Sequence, residues 1–573
     1  MRTLFALTLL VSTVWLGMGT GKEVVMASPT DTREQVNGGT DNEAVTDDDR
    51  RVVLGKQPLV RVGLLDGYDK IDFRIRGMFS ITNLDGDTIF SSIESSRRWR
   101  CKVENSSPAK FKFSVLVATF EDEQEAEDLA VQLRARGLAA RVLSHGREIV
   151  IGDKIVHEGR RRQVIVGAFD SEDQTRPLIS RFSEQDEFVP RVLRHRVEDS
   201  DGTIELYDSE YDLSAIVDMG FRIVPEADDT EITVYDIRAG VGFAWEHSED
   251  RVYRHTIEMR IDQYGHIMAI NELHLDEYLR GVVPSEMHPS YPYEALKAQA
   301  VAARSYTVSK LAGRSPNEAI DFPATVHFQV YSGATREHEV TTRAVLETAG
   351  EVLKSGSRVC ETYFSANSGG HTESKVNWAP PGEPYLEGVP VLKEDAAKEF
   401  TLDLSTEKDV ETWLRTHPES FSNPRGTRIE MLDRNARYFR WEISYSRREI
   451  EEVIKRKLGF DIGDLIDIQP LARGVSGRIT ELEILGTHRN HKVFGELNIR
   501  RVLSETTLNS SCFIVDLELG DLGHPLEVTF LGAGFGHGVG MDQTAAGVMA
   551  TEGMKYDEIL AFFYRGAELS KIW

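Results

Sequence analysis

The sequence predicts an α+β fold in which mixed, twisted β-sheets and short helices surround a cleft. Three observations support this: strand-like segments open the chain, an alanine-rich amphipathic helix lies near its middle, and glycine-rich segments follow that helix. The chain has 573 residues, too many for one ordinary domain, and 40% of them are hydrophobic, enough for several buried cores.

The formal net charge is −26 at pH 7. An acidic surface repels nucleic acids and anionic lipids, so neither is a predicted partner. A polysaccharide is not excluded, because hydrogen bonds and ring stacking bind it. The three cysteines, Cys101, Cys360 and Cys512, are widely spaced and odd in number. They are predicted to be buried thiols, although the sequence leaves one disulfide open.

The N-terminus has the features of an export signal. Arg2 supplies a positive charge, residues 4–16 form an apolar run too short to cross a membrane comfortably, and cleavage is predicted after Ala27. An uncleaved anchor is the alternative. Residues 28–56 are polar and are predicted to be a disordered spacer. We therefore expect a secreted or envelope protein with a signal peptide at 1–27.

After the spacer, a main unit is predicted to begin at 57–105 and to be interrupted by an insert at 111–190. Residues 57–105 show strand patterns with a hairpin turn at Asp85-Gly86. Residues 111–190 contain a strand–helix–strand unit that is repeated once. Strands are predicted at 113–119, 140–143 and 162–169, and helices at 122–136 and 171–183.

The repeated unit resembles the SPOR domain, a small ferredoxin-like βαβ repeat. The paired segments VLVATF at 115–120 and VIVGAF at 164–169 carry this resemblance. A generic βαβ insert is the alternative. The resemblance implies binding to glycan strands that have lost their stem peptides.

The main unit resumes at 200–573, and its most informative segment is 270–310. Further strands are predicted at 232–237, 252–261 and 266–269. A short helix at 275–280 should end at Gly281, and a second helix should begin at Pro292, with a loop around Pro284 between them. The second helix should bury one face, formed by Ala295, Ala298, Ala302, Ala303 and Tyr306.

Glu286 is the candidate for chemistry because it falls in that predicted loop between Val283 and Met287. Apolar surroundings raise the pKa of a carboxyl group, since desolvation disfavours its charged form. A protonated carboxyl group is what protonation of a glycosidic oxygen requires. A carboxylate that merely interacts with a helix dipole is the alternative on local chemistry alone.

This part of the chain resembles the SpoIID/LytB family, named after stage II sporulation protein D. The motifs that carry the resemblance are LDEYLRGVVPSEM at 275–287, ALKAQAVAARSY at 295–306, TYFSANSGGHT at 362–372, SGRI at 476–479 and GHGVGMDQTAAGVM at 536–549. The resemblance implies a lytic transglycosylase with Glu286 as the catalytic acid, which leaves 1,6-anhydro-N-acetylmuramic acid ends. The candidate substrate-binding residues on these motifs are Ser285, Arg304, Tyr306, Ser368, Gly369, Gly370, His537 and Gln543.

The sequence departs from the family pattern in two places. Ala545 stands where many members have glycine, which is expected to tighten or shift a turn. Some members hold zinc with a Cys/His cluster, but the matching stretch at 321–331 has His327 and no cysteine. A lone histidine does not make a zinc site, so no metal and no cofactor are predicted. A helix-rich insertion at about 394–464 is expected to lie at the periphery.

Two functions are consistent with these observations. The first is a glycan-cleaving enzyme that an SPOR-like unit targets to denuded peptidoglycan. The second is a non-catalytic peptidoglycan-binding protein that enhances an N-acetylmuramoyl-L-alanine amidase, as the LytB branch is described. The intact Pro284-Ser285-Glu286-Met287 sequence favours the enzyme. Sporulation, division and general wall turnover all remain open as settings.

Overall fold

The structure is a computed structural model. It describes residues 57–184, 188, 190–239, 247–313, 318–325, 328–378, 381–521 and 523–573, together with strands Gln35–Val36 and Arg51–Leu54. The predicted signal peptide at 1–27 and His327 lie outside the described residues. Within the predicted spacer at 28–56, the two described stretches are strands, because each pairs with a strand of the insert.

The insert has the predicted ferredoxin-like topology. Its four main strands form an antiparallel sheet in which the first strand pairs with the third and the fourth, and the second lies at one edge. The first helix begins after Asp122, whose side chain accepts a hydrogen bond from the Glu125 backbone at 3.0 Å. The elements in chain order are Lys110–Phe120, Glu123–Ala135, Ala140–His145, Arg161–Phe169, the 3-10 turn Glu172–Thr175, Arg176–Glu184 and Arg191–Glu198.

A hairpin separates the two halves of the insert. Its strands are Glu148–Ile151 and Lys154–Glu158, and they pair antiparallel away from the main sheet of the insert. We call residues 146–159 the insert hairpin. It contacts the main unit, as described below.

Two large β-sheets flank the insert in sequence and share one hydrophobic core. The core includes Trp99, which stacks on Phe73 with ring centroids 6.3 Å apart. The first sheet has, in spatial order, Ser214–Asp218, Asp201–Asp208, Arg98–Ser107, Lys70–Arg76, Glu231–Ala239 and His247–Tyr253. The second has Phe322–Pro323, Leu59–Tyr68, Ile267–His274, Thr256–Ile261, Gly220–Pro225, Met78–Asn83 and Thr88–Glu94. The predicted turn at Asp85-Gly86 joins the last two of these.

The first helix of the main unit is longer than the sequence predicts. It spans Leu275–Glu286, and we call it the acid helix. Gly281 does not end it: an added Cβ there would lie 2.7 Å from the Tyr331 ring, so glycine permits close packing. Pro284 lies inside the last turn, where the Ser285 hydroxyl donates to the Gly281 carbonyl at 2.7 Å. Glu286 therefore ends a helix, and the predicted loop placement is wrong.

The second helix, Tyr293–Ala312, is confirmed and begins after Pro292. We call it the alanine helix. It is buried on nearly every face, more than the single predicted stripe, because the acid helix and three later helices pack around it. Its small side chains allow these close approaches. The three later helices are Glu339–Glu347, Gln543–Thr551 and Tyr556–Phe563.

The remaining elements form the C-terminal half. Two three-stranded sheets share a separate hydrophobic core with the helix Arg447–Leu458. These sheets contain Trp441–Ser446, Pro525–Gly532 and Phe513–Leu519, and Leu465–Arg473, Ile479–Gly486 and His491–Phe494. The other helices and 3-10 turns are Gly333–Arg336, Lys375–Trp378, Pro384–Leu386, Glu394–Glu399, Glu407–Arg415, Glu430–Asp433, Ala436–Phe439 and Glu496–Val502. The short strands are Glu351–Ser355, Arg358–Val359, Phe364–Ser365, Met541–Asp542 and Glu568–Lys571.

Two further properties concern the whole described chain. Cys101, Cys360 and Cys512 are all buried and free, in agreement with the prediction of buried thiols. Among the residues that the structure describes, no helix combines the length and the apolar character needed to cross a membrane.

Candidate active site

A groove opens at the C-terminal end of the acid helix, and Glu286 lies in its wall. One side is formed by residues that follow the helix, and the other by residues near Ala366 and by the segment 431–438. The lining residues are Pro284, Ser285, Glu286, Met287, His288, Tyr291, Ala366, Met431, Arg434, Asn435, Arg437, Tyr438, Phe535 and Gln543.

The two oxygens of the Glu286 carboxyl group differ in their surroundings. Oε1 accepts a hydrogen bond from the Val330 backbone N–H at 2.8 Å. Oε2 is buried and has no hydrogen-bond partner within the described part of the chain. Because an N–H donor already occupies Oε1, a proton bound to this carboxyl group belongs on Oε2.

Burial keeps this carboxyl group protonated at neutral pH more often than an exposed one. Glu286 is 6% exposed, and desolvation raises its pKa to about 7, against a smaller lowering by the Val330 hydrogen bond. The predicted rise in the pKa therefore has the predicted cause. A carboxyl group with a pKa near the working pH can both donate and accept a proton during one reaction cycle.

The far wall of the groove comes from the segment predicted to be peripheral. The short helices Glu430–Asp433 and Ala436–Phe439 bring exposed Arg434 and Arg437 to the groove. The side chain of Asn435 fixes this wall, since its amide donates to the Tyr291 hydroxyl at 2.7 Å. The prediction that 394–464 only covers the periphery is thus wrong for this part.

Sequence reasoning missed these wall residues because no local pattern marks them. The stretch 431–438 is polar and helix-like, and its link to the segment that follows the acid helix is a hydrogen bond between residues 144 positions apart. The lining residues His288 and Tyr291 could have been found from the sequence, because they lie just after the motif that contains Glu286.

Ser285 and Gln543 both line the groove, and their contact with substrate stays a prediction. The Ser285 hydroxyl is already bonded to the Gly281 carbonyl and lies 3.3 Å from the Ser332 hydroxyl. The Gln543 amide donates to the Glu286 carbonyl and to Gln299 Oε1, each at 3.2 Å. Gln543 therefore holds the end of the acid helix in place from the opposite motif.

Arg304 is not brought to the groove. It is fully buried in the alanine helix, and its guanidinium group donates to Asp276 at 2.9 Å and to the carbonyls of Val345 and Glu351. All of these partners are internal, so the arrangement gives Arg304 a structural role in place of the predicted contact with substrate.

Arg304→Met is expected to lower the free energy of unfolding by about 3–5 kcal/mol, because it leaves Asp276 buried without its cation. Urea unfolding measures this change. The double variant with Asp276→Asn should recover part of the loss. A well-folded Arg304→Met protein that no longer binds glycan would instead support the original prediction.

The Ser368-Gly369-Gly370 turn is buried and does not present free N–H donors. The backbone N–H and hydroxyl of Ser368 both donate to Asp542 Oδ2, at 2.7 and 2.8 Å. Gly369 and Gly370 have positive φ angles, and an added Cβ at Gly369 would lie 2.8 Å from Ala533. The glycines serve close packing of two chain segments, which differs from the predicted approach of a ligand.

The glycine-rich loop at 534–540 packs around a buried arginine. An added Cβ at Gly538 or Gly534 would lie 2.3 or 2.8 Å from the guanidinium group of Arg478. Arg478 is 1% exposed and donates to the Ser476 hydroxyl at 2.9 Å. The SGRI motif and the glycine-rich motif are therefore two halves of one structural unit. Ala545 causes no change of turn, because it lies in the helix Gln543–Thr551.

Tyr306 and His537 belong to a cluster of half-buried, neighbouring rings, which we call the aromatic cleft: Tyr306, Tyr363, Trp378 and His537. His537 stacks on Trp378 with centroids 4.4 Å apart, and its Nδ1 accepts from the Val539 backbone at 3.0 Å. Burial lowers the pKa of His537 to about 3, so the ring is neutral. His537 is not a lining residue of the groove at Glu286.

The structure holds no cluster of three or more histidine, cysteine, aspartate or glutamate residues suited to a metal, as far as the chain is described.

Comparison with known proteins places the chain in a family. The family model described as stage II sporulation protein, SpoIID, matches residues 263–354, which include both helices of the site. An uncharacterised protein of Brachyspira hyodysenteriae is 30% identical over 318 residues, which are 54% of this chain and 72% of that protein. The chain belongs to the SpoIID family. A second model, a domain of unknown function (DUF8618), matches residues 372–540 of this SpoIID protein.

Two named relatives come from Bacillus subtilis. Stage II sporulation protein D is 27% identical over 320 residues, 53% of this SpoIID chain and 76% of the relative. The protein named amidase enhancer is 27% identical over 307 residues, but the match covers only 40% of its length. Among solved structures, the peptidoglycan-binding domain of the B. subtilis cell wall lytic enzyme CwlC aligns with 15% of the chain at 22% identity, with a TM-score of 0.12.

Proposed function

We propose that this SpoIID protein is an exported lytic transglycosylase that cleaves the glycan strands of peptidoglycan. The observation that carries the proposal is the Glu286 carboxyl group: it lies in the wall of a groove, has one oxygen fixed by the Val330 N–H and the other unpaired, and has a pKa near 7. The predicted export signal and the similarity to a relative named amidase enhancer support an extracytoplasmic site of action.

The proposed reaction uses this single carboxyl group twice. Glu286 donates the proton from Oε2 to the glycosidic oxygen as its bond to C1 of N-acetylmuramic acid breaks. The resulting carboxylate then accepts the proton of the C6 hydroxyl group as O6 bonds to C1. The 1,6-anhydro ring closes, no water is consumed, and Glu286 is again protonated. Because the nucleophile belongs to the substrate, the second carboxylate of an ordinary glycosidase is unnecessary.

The groove supplies the elements that such a reaction needs around the acid. Val330 fixes the orientation of the carboxyl group, and Gln543 holds the backbone of Glu286 itself. Arg437 on the far wall stacks on Tyr438 and donates to its hydroxyl at 2.7 Å, so a rigid polar surface faces the acid. A bound sugar would therefore be held between this wall and Glu286.

The test is digestion of purified peptidoglycan by the full chain, with intact stem peptides in one sample and amidase-treated strands in another. Mass spectrometry should find new 1,6-anhydromuramic ends, and more of them from the peptide-free strands. Release of reducing muramic ends would indicate hydrolysis, and absence of any new ends would overturn the proposal.

The second candidate function is enhancement of an N-acetylmuramoyl-L-alanine amidase, and the similarity to the B. subtilis amidase enhancer favours it. In this case the chain binds the wall but cleaves nothing. Adding the chain to a purified amidase should then raise the rate of stem-peptide release, and Glu286→Gln should raise it equally.

A further inference from the structure

The aromatic cleft has the composition of a carbohydrate-binding surface. The rings of Tyr306 and Tyr363 lie 5.3 Å apart, and those of Tyr363 and Trp378 lie 5.0 Å apart. At its base, Lys310 and Glu361 form an ion pair at 3.1 Å, and each keeps over a quarter of its side chain exposed, 30% and 28%. Aromatic faces beside a few polar groups suit sugar rings, which have apolar faces and hydroxyl edges.

Two chain segments connect the aromatic cleft with the groove at Glu286. Val330 bonds to Glu286, and Phe328, two residues earlier, has its ring 5.0 Å from that of Tyr306. On the other side, Ala366 lines the groove and Tyr363 lies three residues before it along the Phe364–Ser365 strand. Three extended residues span at most about 10 Å, so Tyr363 lies no farther than that from Ala366 in the groove wall.

The far end of the cleft meets the insert. Glu361 at the base of the cleft follows Arg358 by three residues, and Arg358 forms an ion pair with Glu121 of the insert. Arg161, also of the insert, has its Nη2 3.8 Å from Glu121 Oε1. The Val359 backbone N–H donates to His157 of the insert hairpin at 3.0 Å.

The insert is held against the main unit by specific contacts. The Arg147 backbone N–H donates to the Ala312 carbonyl at 2.8 Å, and its side chain donates to the Leu311 carbonyl at 3.1 Å and to Asp321 at 3.0 Å. An added Cβ at Gly159 would lie 2.6 Å from Ala312. The insert hairpin thus fits closely over the end of the alanine helix, whereas a tethered module would need no such fit.

We propose that the insert is a fixed extension of the groove, so that one glycan strand runs from Glu286 through the aromatic cleft to the seam at Arg161 and Arg358. The proposal rests on the proposed function for the identity of the ligand. It adds that the insert contributes to binding only when the strand is long enough to reach the seam.

Binding is measured by calorimetry with full-length Glu286→Gln protein, so that cleavage does not interfere. The probes are a peptide-free peptidoglycan tetrasaccharide and long peptide-free strands. Arg161→Ala should weaken binding of the long strands about five-fold, the effect of one lost hydrogen bond, and leave the tetrasaccharide unaffected. Arg176→Ala, an exposed arginine elsewhere on the insert, is the matched control and should change neither.

A second variant leaves Arg161 unchanged and removes a side chain that holds the insert hairpin against the main unit. Arg147→Ala should reduce the same advantage for long strands, because the insert hairpin loses its side-chain bonds to Leu311 and Asp321 and is held less firmly in line with the cleft. Equal losses on both probes, or no loss in either variant while the parent protein binds long strands, would overturn the extension of the groove. Failure of the parent protein to bind either probe would overturn the proposed function as well.

Discussion

Glu286→Gln is expected to lower the rate of glycan-strand cleavage by about 100- to 10,000-fold, the usual contribution of a general acid. Glutamine keeps the size of the side chain and can still accept the Val330 hydrogen bond, but it cannot donate a proton to a leaving oxygen. The rate of formation of 1,6-anhydro ends measures this change, and binding of glycan strands should remain.

The matched control is Glu277→Gln on the same helix. Glu277 forms an ion pair with Arg280 at 2.7 Å and is not a lining residue of the groove. Its substitution should leave the cleavage rate within about twofold, as expected of a partly exposed ion pair. Equal losses in the two variants would assign the effect to the helix as a whole and not to the carboxyl group.

The same carboxyl group should limit activity at alkaline pH. Since the reaction begins with protonated Glu286 and its pKa is about 7, the cleavage rate should fall as the pH rises above 7. A rate that stays constant between pH 6 and 9 would contradict the assignment of Glu286 as the acid.

The second large effect concerns stability, and its sign follows from the raised pKa. The folded protein binds a proton at Glu286 more tightly than the unfolded chain, whose carboxyl pKa is the ordinary 4.5. The contribution of protonated Glu286 to the free energy of unfolding is therefore fully present below about pH 4.5. It is lost as the pH rises toward 7, by about 3 kcal/mol in all. At pH 8, Glu286→Gln should accordingly be more stable than the parent protein, by up to this amount.

Urea unfolding of both proteins at pH 5 and pH 8 tests this expectation. The difference in the free energy of unfolding between the two proteins should be small at pH 5 and larger at pH 8. Glu277→Gln provides a control of opposite sign, because His255 and Arg280 lower the pKa of Glu277 and its charged form stabilises the fold. If the parent protein is more stable than Glu286→Gln at pH 8, the conclusion that Glu286 is a buried carboxylate without a compensating partner is contradicted.

Sequence patterns predicted the local elements of this protein better than the roles of its motifs. Strand and helix periodicities identified the insert and the alanine helix, because these patterns arise from local geometry and burial. The motif residues Arg304, Ser368 and Gly369 were expected to contact substrate, yet each is engaged inside the protein. A motif does not reveal whether its polar atoms are satisfied internally, since the partners come from distant segments.

The residues of the far groove wall could not be predicted from local sequence patterns either. Arg437 belongs to one short helix and Arg434 directly follows another, and no periodicity distinguishes these helices from surface segments. Their position depends on the bond between Asn435 and Tyr291, a long-range contact. The raised pKa of Glu286 could be predicted because its apolar neighbours are a local property of the sequence, whereas its role as the acid stays a prediction.

The burial of the alanine helix on nearly all sides has a consequence for how the protein unfolds. Ala300, Ala303 and Val308 belong to the core of the two large sheets, whereas Ala298 and Val301 belong to the core formed with the C-terminal helices. Because the alanine helix contributes side chains to both cores, neither core can unfold without removing part of the other. The two should therefore melt in one cooperative transition, and local opening of the acid's surroundings requires the loss of both.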